Sequence, residues 1–169
     1  MSKILISGYY GFANAGDEAM LTAIIESLRQ VEKNVELTVL SGNPEDTAAK
    51  HQVCSVYRFN PLGIIRAMKD SELIISGGGS LLQDVTSKRS LLYYLSIIGL
   101  GKFFGKKVML FAQGIGPIRA KWARKLTSLV CNEADLITVR DSESAAELIE
   151  MGVKPEKITV TADSVLSLN

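Results

Sequence analysis

The residues of this chain that are equipped for chemistry stand in five clusters, each directly after a short apolar run. The first, Gly8 to Glu18, holds Tyr10, Asn14, Gly16, Asp17 and Glu18. The second is Gly77-Gly78-Gly79-Ser80 with Asp84 close behind, and the third is Gln113-Gly114-Ile115-Gly116-Pro117. Arg140-Asp141-Ser142 and Ala162-Asp163-Ser164 complete the set. Carboxylates of this kind take protons from hydroxyls or bind sugar oxygens, and an arginine holds a carboxylate or phosphate in a planar fork. Glycines let backbone N–H groups approach an anion or a sugar closely.

Five clusters make one site only if the fold collects them. The apolar runs read as strands near 3–7, 35–40, 52–57, 72–76, 107–112, 136–140 and 158–162. Helical patterns alternate with them near 17–31, 61–69, 87–104, 119–133 and 142–151. In the first helix Met20, Ile24, Leu28 and Val31 recur at helical spacing and define one apolar face, with Asn14 or Asp17 as its cap. Gly152 is a helix stop. Strand followed by helix throughout predicts an α/β fold, a doubly wound, mostly parallel, Rossmann-like sheet with right-handed crossovers. Parallel strands share one carboxyl edge, so the clusters are expected to converge on one crevice there. A length of 169 residues suits a single domain, 1–169. The apolar ending Ser164-Val165-Leu166-Ser167-Leu168-Asn169 has no polar tail, and the expectation is truncation before a second, carboxyl-terminal α/β domain that would wall the crevice.

Several function classes are excluded by composition and spacing. Nineteen basic against eighteen acidic side chains leave a net charge of +1, which draws the chain to neither nucleic acid nor anionic lipid. Gly8, Gly11 and Gly16 are not spaced as a dinucleotide fingerprint, and the second strand ends at Ser41-Gly42 without an acidic ribose ligand. The triple glycine lacks the Lys-Ser/Thr ending of a P-loop. Cys54 and Cys131 form no metal spacing and read as buried thiols, so neither metal nor cofactor is expected. Ile4-Leu5-Ile6 is too short for an export segment, and the apolar stretch at 91–104 is broken by Gly99, Gly101 and Lys102, so the expectation is a cytoplasmic protein.

The runs GYYGFANAGDEAML (8–21), GGGSLLQD (77–84), QGIGP (113–117), VRDSES (139–144) and TADSV (161–165) together resemble the polysaccharide pyruvyl transferase family, in particular its bacterial cell-wall members. Ser164 departs from the proline common in that family after the last aspartate. The resemblance covers the amino-terminal domain of what is, in such enzymes, a two-domain architecture similar to B-type glycosyltransferases. It implies transfer of an enolpyruvyl unit from phosphoenolpyruvate to two hydroxyls of a hexosamine on a lipid-linked acceptor, giving a cyclic ketal and phosphate, with the missing domain as partner. Such chemistry needs cations for the donor, an acid for its methylene carbon and a base for the hydroxyls. Arg140 is the expected anion-binding cation. Asp17, Glu18, Asp84, Asp141 and Asp163 are the carboxylates available for sugar hydroxyls or base catalysis, and the sequence selects no pair; Asp17 and Asp141 are the catalytic candidates, and Tyr10, Asn14, Gly16, Glu18, Gly77, Gly78, Gly79, Asp84, Gln113, Gly114 and Asp163 are the expected substrate contacts. A nucleotide-sugar glycosyltransferase relative and a non-catalytic sugar- or anion-binding module stand as alternatives.

Each residue also has a structural reading. Asp17 and Asp141 stand where helices begin and can be caps. Gln113 can satisfy a buried backbone group, and Arg140 can pair with Asp141 or Asp163. His51, the sole histidine, precedes a strand, which places it at the edge opposite the crevice as a solvated surface residue. The basic run Arg119, Lys121, Arg124 and Lys125 reads as a solvated face, or as a contact with an acceptor pyrophosphate or the inner membrane surface.

Overall fold

The computed structural model describes residues 1–77 and 79–161. Gly78 and the Ala162-Asp163-Ser164 cluster lie outside them. Seven strands, β1 (Lys3–Ser7), β2 (Glu36–Ser41), β3 (Cys54–Tyr57), β4 (Leu73–Gly77), β5 (Lys107–Gln113), β6 (Leu136–Val139) and β7 (Ile158–Val160), form one sheet in the order β3-β2-β1-β4-β5-β6-β7. Every pairing is parallel. The chain runs outward from β1 to β3, crosses back to β4 beside β1, and runs outward again to β7, so the order reverses between β1 and β4. Loops leaving those two strands splay apart at the carboxyl edge and open a crevice.

Six helices cover the sheet: α1 (Ala15–Val31), α2 (Pro44–His51), α3 (Pro61–Asp70), α4 (Lys88–Phe103), α5 (Lys121–Glu133) and α6 (Ser142–Met151). On one face Met20, Leu21, Ile24 and Ile25 of α1 pack on Ile4, Ile6, Leu37, Val39 and Ile75. On the other, Ile64 and Met68 of α3, Leu91, Leu95 and Ile98 of α4, and Leu148 of α6 enclose Leu5, Ile74, Val108, Leu110 and Ile137. Each such fully buried side chain contributes about 1.5–3 kcal/mol by leaving water. Alternation along the strands thus feeds two cores, odd positions of β1 to one and even positions to the other.

Two expectations are corrected by the helices. Val31 is 88% exposed at the end of α1, whereas Met20 and Ile24 are buried and Leu28 packs against the core as expected, with Leu21 and Ile25 widening the buried face. The helix α2 had no counterpart in the pattern reading. Its sequence, PEDTAAKH, buries only Thr47 and has no apolar period to detect. Its start signals were present: Asn43 accepts from the Asp46 N–H, and Pro44 stands at the first helical position. Gly152 stops α6 as expected, with φ of 105°.

Cys131 is buried, and burial pushes its thiol pKa up to about 12. Cys54 is exposed, at the start of the edge strand β3, contrary to the reading of two buried thiols. No described helix is long and apolar enough to cross a membrane.

Candidate functional site

Gly8 follows β1, Gly77 and Gln113 end β4 and β5, and Arg140 follows β6, so four of the five clusters meet at the carboxyl edge. Three of these loops are joined into one rim. Beyond β4 and β5 the parallel pairing continues: Gly114 N donates to Gly79 O (3.1 Å), Gly116 N to Leu82 O (2.8 Å), and Leu82 bridges Ile115. Asp84 N donates to Pro117 O, while the Asp84 carboxylate accepts from the N–H groups of Arg119 and Ala120. Those two N–H groups hold the Asp84 carboxyl below its ordinary pKa. Asp84 thus clamps the loop entering α5.

Arg140 lies across this rim. Its Nη2 donates to Ser80 Oγ (3.1 Å), and its Nε is 3.5 Å from Asp141 Oδ2. The guanidinium rests on Gly114, where an added methyl would sit 2.6 Å from Arg140 Cζ and 2.7 Å from Ser80 Oγ. Glycine is needed there for close approach rather than for backbone freedom. The outer side of Arg140 faces a pocket of about 370 Å³ with Gly116, Pro117, Glu143 and Glu147 on its walls. Ser80 carries the contact inward to a second pocket.

That second pocket, about 350 Å³, sits at the switch point between β1 and β4. Tyr9 and Asp17 line it from the first loop and α1, and Ser80, Leu81, Gln83, Thr86, Ser90 and Tyr94 from the glycine loop and α4. Asp17 is not the helix cap. Asn14 is, accepting from Gly16 N (3.1 Å) and Asp17 N (3.3 Å), which leaves the Asp17 carboxylate to the pocket. Burial, and secondarily the charge of Glu18, raise the Asp17 pKa. A carboxyl so placed exchanges protons nearer to neutrality than a solvated one. A larger groove, about 440 Å³, runs under β2, β3 and α3, away from these loops.

Other predicted site residues turn out to support the rim. Tyr10 is fully buried and its hydroxyl donates to Gly77 O (2.8 Å), so it props the glycine loop from beneath; the tyrosine that reaches solvent is Tyr9, stacked on Phe12 at 4.3 Å. Gln113 is fully buried, its Nε2 donating to Ser76 O (2.8 Å). A bulge in β5, with Ala112 at φ 48°, turns it inward. Glu18 ties down the first loop through Gly11 N (3.0 Å) and meets His51 Nε2 at 3.2 Å. His51 is therefore no solvated residue. Its side chain is 10% exposed, because α2 brings it against the first turn of α1.

Asp141 has the geometry of a cap. It accepts from Ser144 N at 2.7 Å, and that bond, reinforced by Arg140, holds its carboxyl below the ordinary pKa. Since asparagine caps equally well, Asp141→Asn in the full-length protein is expected to leave the thermal midpoint close to wild type and the catalytic efficiency within about twofold of it. A clear loss of efficiency at unchanged midpoint would mark Asp141 as acting on substrate or on Arg140.

The residue missed altogether is Arg58, directly after β3 and therefore at the same edge. Arg140 is not the only planar cation there. The signal was available in Tyr57-Arg58-Phe59, an arginine between aromatic residues at a strand's carboxyl end.

A family model described as polysaccharide pyruvyl transferase matches residues 14–169, a span that includes Asp17, the glycine loop and Arg140. The chain belongs to the polysaccharide pyruvyl transferase family. No curated protein matches it in sequence. Among solved structures it is similar to Anabaena HepE in complex with UDP and glucose, at 14% identity and a TM-score of 0.66, covering 96% of this chain and 44% of that one. It is also similar to the UDP-GlcNAc 2-epimerase of Neisseria meningitidis bound to UDP-GlcNAc (13% identity, TM-score 0.60, 98% and 47% covered). A third is the lipopolysaccharide outer core galactosyltransferase WaaB (14%, 0.55, 96% and 45%). At such identities the likeness is one of fold, a Rossmann-like α/β domain found in B-type glycosyltransferases and epimerases. The chain spans less than half the length of these structures.

Proposed function

We propose that this family member acts as a polysaccharide pyruvyl transferase on phosphoenolpyruvate and a hexosamine, lipid-linked and destined for a cell-wall polymer. The observation that carries the reading is the family match, which runs through Asp17, Ser80 and Arg140, three residues that the rim brings together. A hydroxyl oxygen bonds to C2 of the donor as the methylene carbon takes a proton. Phosphate then leaves, and the second hydroxyl closes the ketal and gives up its proton. One hydroxyl proton is thereby balanced on the new methyl group and the other on phosphate. Arg140 holds donor anion charge, and Asp17, with its raised pKa, carries a proton at the pocket. In this reading a second α/β domain supplies the opposite wall and the remaining cations.

The test is phosphate release by the full-length protein from phosphoenolpyruvate, with a nitrophenyl or lipid-linked hexosamine acceptor. Release that depends on the acceptor is expected. Turnover of a uridine diphosphate sugar, with no phosphate from phosphoenolpyruvate, would replace this reading by the glycosyltransferase one.

A further inference from the structure

Arg58 is a cation enclosed by rings. It is 5% exposed, and the ring centroids of Tyr93, Phe59, Phe12, Tyr94 and Tyr9 lie 4.5, 4.9, 5.2, 5.7 and 5.8 Å from its Cζ. No carboxylate among the described residues forms an ion pair with it. Its Nε and Nη1 are buried and have no hydrogen-bond partner among the described residues; the same holds for the hydroxyl of Tyr94, itself 2% exposed.

Aromatic faces offset part of the desolvation of a guanidinium, but they leave its N–H groups without acceptors. A donor so orphaned destabilises the fold, and more so when it is charged. Packing alone does not call for such a group, since an apolar side chain would fill the cage without that cost. The Tyr94 hydroxyl lies beside the guanidinium, and the Arg58 N–H groups left without acceptors match the oxygens of an anion.

The cage also has a route to solvent. Tyr9 and Tyr94 belong both to it and to the 350 Å³ pocket beside Asp17 and Ser80. Tyr9 and Phe12, stacked on each other, are 40% and 43% exposed, so they roof the cage with their outer sides open. The loop carrying them has positive φ at Gly11 (85°) and Ala13 (56°). Beneath, the cage wall is fixed, with Tyr93 Oη donating to the Arg58 carbonyl at 2.8 Å.

We infer that Arg58 and Tyr94 form an anion-binding site at the inner end of the switch-point pocket, which takes a carboxylate or phosphoryl group once the Tyr9–Phe12 stack swings outward. This does not rest on the donor proposed above, because it concerns binding and not turnover.

The test is a titration of the full-length protein carrying 15N-labelled arginine and fluorotyrosine, followed by NMR at constant ionic strength. The Arg58 Nε–H signal is identified by its loss in Arg58→Lys, and the tyrosine signals by Tyr9→Phe and Tyr94→Phe. Inorganic phosphate and pyruvate are added separately, with chloride as control. A saturable shift of the Arg58 and Tyr9 signals at roughly millimolar concentration is expected with at least one of them. Phosphate alone would assign a phosphoryl end, pyruvate alone a carboxylate. Binding should weaken about tenfold in Tyr94→Phe, the loss of one charge-assisted bond. If Arg58→Lys does not fold, the tyrosine signals carry the same titration. Signals that stay still with both anions, or that move equally with chloride, overturn the site.

Discussion

Arg140→Lys in the full-length protein is expected to lower catalytic efficiency by roughly tenfold to over a hundredfold while the thermal midpoint stays close to wild type. Lysine keeps the charge but offers a point ammonium, and the loss of one charge-assisted, fork-shaped contact costs about 1.5–3 kcal/mol. The structure explains why the fold should survive. The Arg140 side chain is 36% exposed, donates one hydrogen bond to Ser80 and lies 3.5 Å from Asp141, contacts of a kind that contribute about 0–1 kcal/mol at a surface. Kinetics on phosphoenolpyruvate beside thermal melts decide it. Near-native efficiency would remove Arg140 from the site, and a large fall in midpoint would return it to the scaffold.

Gly114→Ala should reproduce much of that loss by a different route. The added methyl would lie 2.6 Å from Arg140 Cζ and 2.7 Å from both Arg140 Nε and Ser80 Oγ, so something must shift. The obstructing atoms are tips of side chains that can swing away, which moves the guanidinium and leaves the β5 backbone in place. Efficiency is expected to fall about tenfold or more, with little change in midpoint. Because both substitutions act on one guanidinium, the double variant should be hardly worse than Arg140→Lys alone. Full additivity of the two losses would show that Gly114 acts independently of Arg140.

The strands and the crevice edge are legible in the sequence, because burial imposes a period that short apolar runs display, and parallel order places every following loop on one side. From that alone Gly8, Gly77, Gln113 and Arg140 were placed together and Asp141 was recognisable as a cap by position, while the choice between Asn14 and Asp17 as the cap of α1 stayed open until the structure gave it to Asn14. Helix α2 was not legible, since an eight-residue helix that buries only Thr47 carries no period. His51 was misplaced with it. A ring's burial depends on which helix packs against it, and here the partner, Glu18, is thirty-three residues away in sequence.

Residue types and their order along the chain decided the fold class and the edge on which chemistry collects, because both follow from local periodicity and the direction of the strands, and the motif runs after those strands carried the family. Tertiary packing alone decided that Tyr10 props the glycine loop while Tyr9 faces the pocket, and that Asp17 is free because Asn14 caps α1. It alone made Arg58 a caged cation, since the five rings around it come from the loops after β1 and β3 and from α4. Of the five rings only Phe59 is a sequence neighbour of Arg58; the full cage exists only where crossovers bring separate loops to one sheet edge, and there the desolvated charge acquires its need for a partner.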